Sequence, residues 1–415
     1  METAVTNRFG SVSRSQPRVP AACVLAACVL AACVVLAACE RAPETATATG
    51  PGSEERGPIG DEAYSALLTE QVGLKVTGAE LAVQARRQMN LLEQRMAEEA
   101  AGLGRSSWRE ALGEALAAGP DDPSAVLDAY RREIERSYEH LRGLGLVTLP
   151  ADGPSAVEVT EIANPVFQRY FSLAMYLDGR LAVTARPADG DTVAADDYLR
   201  NHCDVCIPPL AVHEVFPGHH LAYRRAAEEE PDEAVRQVLN RRHTVYHEGW
   251  GLYAEQLMLE HGYYAPGTPT LGALRLIYLR ALRALIDPEL HGGRLSRDAA
   301  EELYVTRALM TPSAARSEVD RHLKDPGLKA TYFIGARLIH GLRDRFLKVH
   351  PGASLREFHD GFLGLPAPLP DVARRLGLDL SSSDLSSSDL SSSDLSSSDL
   401  SSAPEQSSSD GVHRK

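Results

Sequence analysis

Cysteine is scarce, six in 415 residues, which excludes a fold stapled throughout by disulfides. The six are also unevenly placed: four fall at Cys23, Cys28, Cys33 and Cys39, and two form Cys203-Asp-Val-Cys206. Basic charge is in deficit, 43 Lys and Arg against 57 Asp and Glu, for a formal net charge of −14. Such an acidic surface excludes nucleic-acid binding through net charge. Aromatics make up only 6% of the chain, yet 44% of it is hydrophobic and 24% charged, enough apolar residue for a large core.

The two ends do not read as fold. Arg8, Arg14 and Arg18 oppose a single acid, Glu2, and an apolar run follows from Val19 to Ala38. A positive start, a greasy stretch and small residues at the cut are the layout of a secretory signal. Leu-Ala-Ala-Cys recurs three times, ending at Cys28, Cys33 and Cys39. This tetrad resembles the bacterial lipobox, in which the Cys is lipidated and becomes the mature N-terminus. Cys39 is favoured, because cutting at Cys28 leaves a short insertion segment. A plain transmembrane anchor is the alternative, since twenty apolar residues just span a bilayer. Either way the body is exported. The domain plan is a leader over 1–38, a tether over 39–60, a helical body over 61–378 and a Ser/Asp-rich tail over 379–415. The tail has almost nothing apolar to offset its ordering entropy and reads as disordered.

Within the body, residues 61–145 are helical in pattern: Leu81, Ala82, Ala85, Met89, Leu92 and Met96 recur at three- and four-residue steps. A second run covers 124–142, with Ser124 as N-cap and its end before Gly143. Between 166 and 186, two apolar runs flank Asp178-Gly179 and predict an antiparallel hairpin. Helices are expected again at 208–229, 233–262, 269–286, 296–309, 328–348 and 354–363.

The chemistry concentrates at His213-Glu214-Val215-Phe216-Pro217-Gly218-His219-His220. Glu beside His, with further His close by, is the pattern of a zinc hydrolase: imidazoles hold the metal and the Glu takes a proton from the water it activates. The usual spacing places the second His four residues on, one helical turn away. Here that position is Pro217. On an unbroken helix His219 lies about 240° around and His220 about 10 Å along. Pro217-Gly218 must break or bulge the helix to return one of them; His219 is favoured and His220 stays open. Glu248, in His247-Glu248-Gly249-Trp250-Gly251-Leu252-Tyr253-Ala254-Glu255, offers the third ligand from an antiparallel helix. Glu255, two turns on, is placed either to hold a ligand His or as a solvated acid. Cys203 and Cys206 are most simply a local disulfide or two thiols, the sharper alternative being a Cys₂His₂ zinc site with His213.

His-Glu-x-x-Pro-Gly-His-His followed by Glu-Gly-Trp-x-Leu-Tyr-Ala-Glu resembles the bacterial domain-of-unknown-function family 885, metallopeptidase-like proteins that are often secreted or lipoproteins. The resemblance continues through Arg283 to His291, Glu318-Val319-Asp320-Arg321, Pro326-Gly327 to Gly335, and Phe358-His359-Asp360. It implies a mainly α, helical zinc-metallopeptidase-like domain with a small antiparallel β element beside the active-site helix. It assigns His213, one of the next two His, and Glu248 to Zn²⁺, and Glu214 to acid/base work. Tyr332, Arg321 and His291 become candidates to stabilise the oxyanion or hold substrate. Ala222, Glu289 and Leu328 depart from the family pattern, and its longer N-terminal helical region is missing here.

The expectation is an exported zinc peptidase, anchored in the membrane by lipid and facing the periplasm or cell exterior. Its partner is a peptide, or a peptide-like amide such as cell-wall material. The alternative is a truncated, non-catalytic relative that binds metal or peptide. An intact Glu214 argues for hydrolysis, the short N-terminal half for binding.

Overall fold

The computed structural model describes residues 57–162, 173–177, 179–186, 199–382 and 384. The expected leader, Cys39, most of the tether and most of the tail lie outside these residues. So do Val166, Phe167 and Tyr170 before the hairpin, and Asp178 of its turn.

The helical pattern of 61–145 resolves into α1 (Asp61–Val72), α2 (Gly78–Gly102), α3 (Trp108–Leu116) and α4 (Pro123–Leu144). Sequence-local chemistry sets their ends. Thr77 and Glu80 form a reciprocal capping box at the start of α2. The N-cap of α4 is Asp122 rather than Ser124: its carboxylate accepts from Ser124 N at 2.8 Å and Ala125 N at 3.0 Å. Pro123, with φ already fixed, fills the first helical position. The helix runs past Gly143 and stops at Gly145, whose φ of 62° is the left-handed closing conformation.

The small β element is mixed, not purely antiparallel. β2 (Ala174–Leu177) and β3 (Arg180–Val183) form the expected hairpin around Gly179. β1 (Glu158–Glu161) then pairs with β3 in parallel, giving the order β1-β3-β2. Among the described residues β2 is therefore an edge strand.

The expected helix over 208–229 is two, α5 (Ile207–Glu214) and α6 (His219–Glu229), broken at the Pro-Gly step. The run over 233–262 also divides, at His243, into α7 (Glu233–Arg242) and α8 (Thr244–Glu260). α9 (Thr268–His291) extends past the expected end and through Pro288. It is buried on nearly every side, so packing outweighs the lost backbone bond. α10 (Arg297–Ala308) follows, then α11 (Pro312–Lys324), capped by Thr311 and not foreseen. α12 (Thr331–Val349), α13 (Leu355–Phe362) and α14 (Leu369–Arg375) complete the body. The first residues of the Ser/Asp stretch pack against α12, where Arg345 pairs with buried Asp384.

α8 and α12 cross where Gly249 faces Gly335; a Cβ on Gly249 would lie 2.5 Å from the Gly335 Cα. That close approach puts α8 in the centre of the molecule, with α5 and α9 beside it. Among the described residues, no helix is long and apolar enough to cross a membrane.

Candidate metal centre

α5 ends on His213 and Glu214, and the chain then turns back sharply. The Phe216-Pro217 peptide is cis. Gly218 N donates to Val212 O at 3.1 Å, and a Cβ at Gly218 would lie 1.8 Å from His213 O. Only glycine fits that corner. The Trp250 indole N–H, from α8, donates to Pro217 O at 2.7 Å and holds the corner down. α6 therefore begins at His219, with its imidazole 4.7 Å from that of His213, centroid to centroid.

Glu248, from α8, completes the cluster. Its Oε2 lies 3.3 Å from His213 Nε2 and 3.4 Å from His219 Nε2. One ligand atom from each of His213, His219 and Glu248 falls within 4.8 Å of the others. A zinc ion about 2.0–2.1 Å from tetrahedral ligands sets neighbouring ligand atoms about 3.3–3.4 Å apart. The two Glu248 separations match that edge length, and His₂Glu is a donor set zinc accepts, so the residues fit the ion. His220 is turned away: its Nδ1 meets the Tyr176 hydroxyl at 3.0 Å.

Two acids flank His213. Glu255 Oε1 lies 2.7 Å from His213 Nδ1 and 3.0 Å from an Arg280 nitrogen. That bond leaves Nε2 as the nitrogen facing the cluster. Burial alone would lower the His213 pKa, but its hydrogen bonds with Glu248 and Glu255 push it up to about 9. Gly251 makes room for the ring, since a Cβ there would lie 2.5 Å from the imidazole. Glu214 is buried, which pushes its carboxyl up despite the neighbouring histidines. Its Oε2 accepts from Tyr176 N, on β2, at 2.8 Å.

A cavity of about 240 Å³ opens onto the cluster. Tyr332 and Arg321 both line it. The Tyr332 ring stacks on His213, centroids 5.8 Å apart, and burial followed by the Glu248 charge raises its phenol far above the usual range. The cavity wall also carries Arg283, bidentate to Glu318 at 2.6 and 2.7 Å, and Lys329, 3.1 Å from the same carboxylate.

His291 is not brought to this cavity. Its Nε2 meets His322 O at 3.1 Å and its ring stacks on Tyr64, in a buried cluster around Asp287. It sits eight residues beyond Arg283 on α9, about 12 Å along the helix. A Cys₂His₂ site is also excluded, because Cys203 and Cys206 form a disulfide.

Sequence reasoning missed Arg280 and Tyr176. A signal for Arg280 existed: Arg280, Arg283, Asp287 and His291 form a stripe at three- and four-residue steps on an otherwise apolar helix. Tyr176 acts through its backbone, which no residue type announces.

The profile of a family of bacterial proteins of unknown function, DUF885, matches residues 21–376. Two solved structures share the fold. One is a candidate lipoprotein of unknown function from Shewanella oneidensis, with 18% identity, a TM-score of 0.62, and coverage of 78% of this chain and 60% of that one. The other is a candidate lipoprotein from Colwellia psychrerythraea, with 21% identity, a TM-score of 0.64, and coverage of 78% and 56%. The chain thus spans less than two thirds of either. No curated protein matches it.

Proposed function

Since the chain belongs to DUF885, a family without an assigned activity, its own residues must carry the argument, and we propose that it is an exported, lipid-anchored, zinc-dependent peptidase. His213 and His219 would hold the ion through Nε2, and Glu248 through a carboxylate oxygen. Zinc in such a site supplies a Lewis acid that polarises a carbonyl and acidifies a water. Glu214 takes a proton from the attacking water and returns it to the leaving amine. Its raised pKa suits both halves of that cycle, and Tyr176 N fixes its orientation. Tyr332, kept protonated, donates to the carbonyl oxygen as negative charge develops there. Arg321 holds the substrate at the cavity wall. The β2 edge, whose Ala174 lines the cavity, offers main-chain pairing to an extended peptide.

Leu36-Ala37-Ala38-Cys39 supports export and anchoring, as do the two fold neighbours described as candidate lipoproteins. The observation that carries the peptidase reading is the set of zinc-like ligand separations with a buried Glu214 alongside.

The test is zinc content and peptide-library cleavage by the full-length chain, wild type and Glu214→Gln. About one zinc per chain is expected in both, with cleavage at least about 100-fold weaker in the variant. Equal cleavage would remove Glu214 from its role; zinc without cleavage of any library member would leave a metal-binding protein. Glu248→Ala should lose the ion, and a variant that kept stoichiometric zinc would take Glu248 out of the ligand set.

A further inference from the structure

A second cavity, of about 520 Å³, adjoins the first. Leu173 and Leu210 line both, so the two share a wall at α5. Most of the larger lining is apolar, including Leu116, Leu276, Leu279 and Met310. Two charges line it: Arg200, which is exposed, and Arg275 of α9, which is half-buried. The Arg275 Nε donates to Ala308 O at 2.6 Å and Nη2 to Leu309 O at 3.2 Å, which closes the end of α10. Among the described residues, Nη1 has only the Cys206 sulfur, at 4.0 Å. Among the described residues no acid pairs with Arg275. Burial and the neighbouring Arg280 lower its pKa to about 10. Among the described residues, then, a guanidinium with donors to spare, in a chamber lined mostly by apolar residues, has no anion.

We propose that this chamber binds the C-terminal end of an apolar peptide, with its terminal carboxylate on Arg275 and its side chains against the leucines. The position fits the metal centre. Cys206, beside Nη1, stands seven residues before His213, about 10 Å along α5. Extended peptide covers about 3.3 Å per residue. A chain end on Arg275 thus places an amide two or three residues upstream at the His213, His219 and Glu248 cluster. On the peptidase reading above, on which this cleavage position rests, the enzyme would trim short peptides from free C-termini.

The binding site is tested without metal, so that neither zinc nor turnover contributes. The full-length, chelator-treated chain is titrated calorimetrically with acetyl-Ala-Leu-Leu, once as the free acid and once as the C-terminal amide. The acid should bind at least about tenfold tighter. Arg275→Gln should erase that preference and leave the amide unchanged. Gly113→Phe should weaken both, because Gly113 lines the cavity and a Cβ there meets nothing within 4 Å.

Equal binding of acid and amide by wild type overturns the proposal, as does no detectable binding of the acid. Acid preference persisting in a folded Arg275→Gln chain overturns it too. Should that variant not fold, unchanged acid affinity in Gly113→Phe overturns it. Acid-selective binding without cleavage by the zinc-loaded chain would uphold this site and defeat the peptidase reading alone.

Discussion

At the scale of single residues, the cluster depends on groups outside the set that would hold an ion. Glu255 fixes the His213 tautomer from inside the protein, and Arg280 balances its charge. Replacing such a partner typically costs 10–100-fold in metal affinity. Glu255→Gln is therefore expected to weaken zinc binding roughly 10–100-fold, measured by competition with a chromogenic chelator; unchanged affinity would make Glu255 a bystander. Gly251→Ala drives a methyl into the His213 ring and should lower zinc occupancy without altering any ligand. That His213, Glu214 and Glu248 come together was legible, because their types and spacing fit the pattern of a metal site. The choice between His219 and His220 was not, since it turns on where the backbone places two adjacent imidazoles. His291 was a candidate through the resemblance alone, and it lies about 12 Å beyond Arg283 along α9.

Among the elements, the corner between α5 and α6 decides whether the centre exists. The Pro-Gly step announced a break, but its path needed the structure: Gly218 lies on the His213 carbonyl and Trp250 binds Pro217 from the next helix but one. Gly218→Ala places a methyl inside that carbonyl contact and should destabilise the fold by about 3 kcal/mol while abolishing stoichiometric zinc. Denaturant unfolding and metal analysis check both; a variant with wild-type midpoint and zinc would show that the corner tolerates a side chain. The hairpin was readable from its turn. β1 was not, because four residues, Glu-Val-Thr-Glu, carry too little alternation and pair in parallel across an intervening segment. α11 was overlooked although Thr311-Pro312 offers a capped start, because only Glu318-Val319-Asp320-Arg321 within it was read, and as a motif.

For the whole molecule, acid sensitivity follows from buried histidines outside the His213, His219 and Glu248 cluster. His202 lies between the Tyr130 hydroxyl and Thr184 O, and His359 between the Tyr253 hydroxyl and Leu146 O. Burial holds both down at about 4. The unfolded chain takes up these protons near pH 6.5 and the folded chain only near 4, so unfolding binds protons in between. Stability is thus expected to fall as pH drops from about 6.5 towards 4, by chemical denaturation of the chelated chain. His202→Gln should reduce that slope, and a flat profile over this range would contradict the assignment. The helical character of the body was legible from periodicity, while the central crossing of α8 and α12 was not, because Gly249 and Gly335 lie in separate motifs.

The Trp250 bond to Pro217 has a practical consequence. The chain has two tryptophans, Trp108 and Trp250. With Trp108→Phe, indole fluorescence, excited beyond the tyrosine absorption band, would come from Trp250 alone. The protein would then carry its own optical gauge at the turn that sets His219, and its emission colour and lifetime would follow ion uptake in real time without a dye.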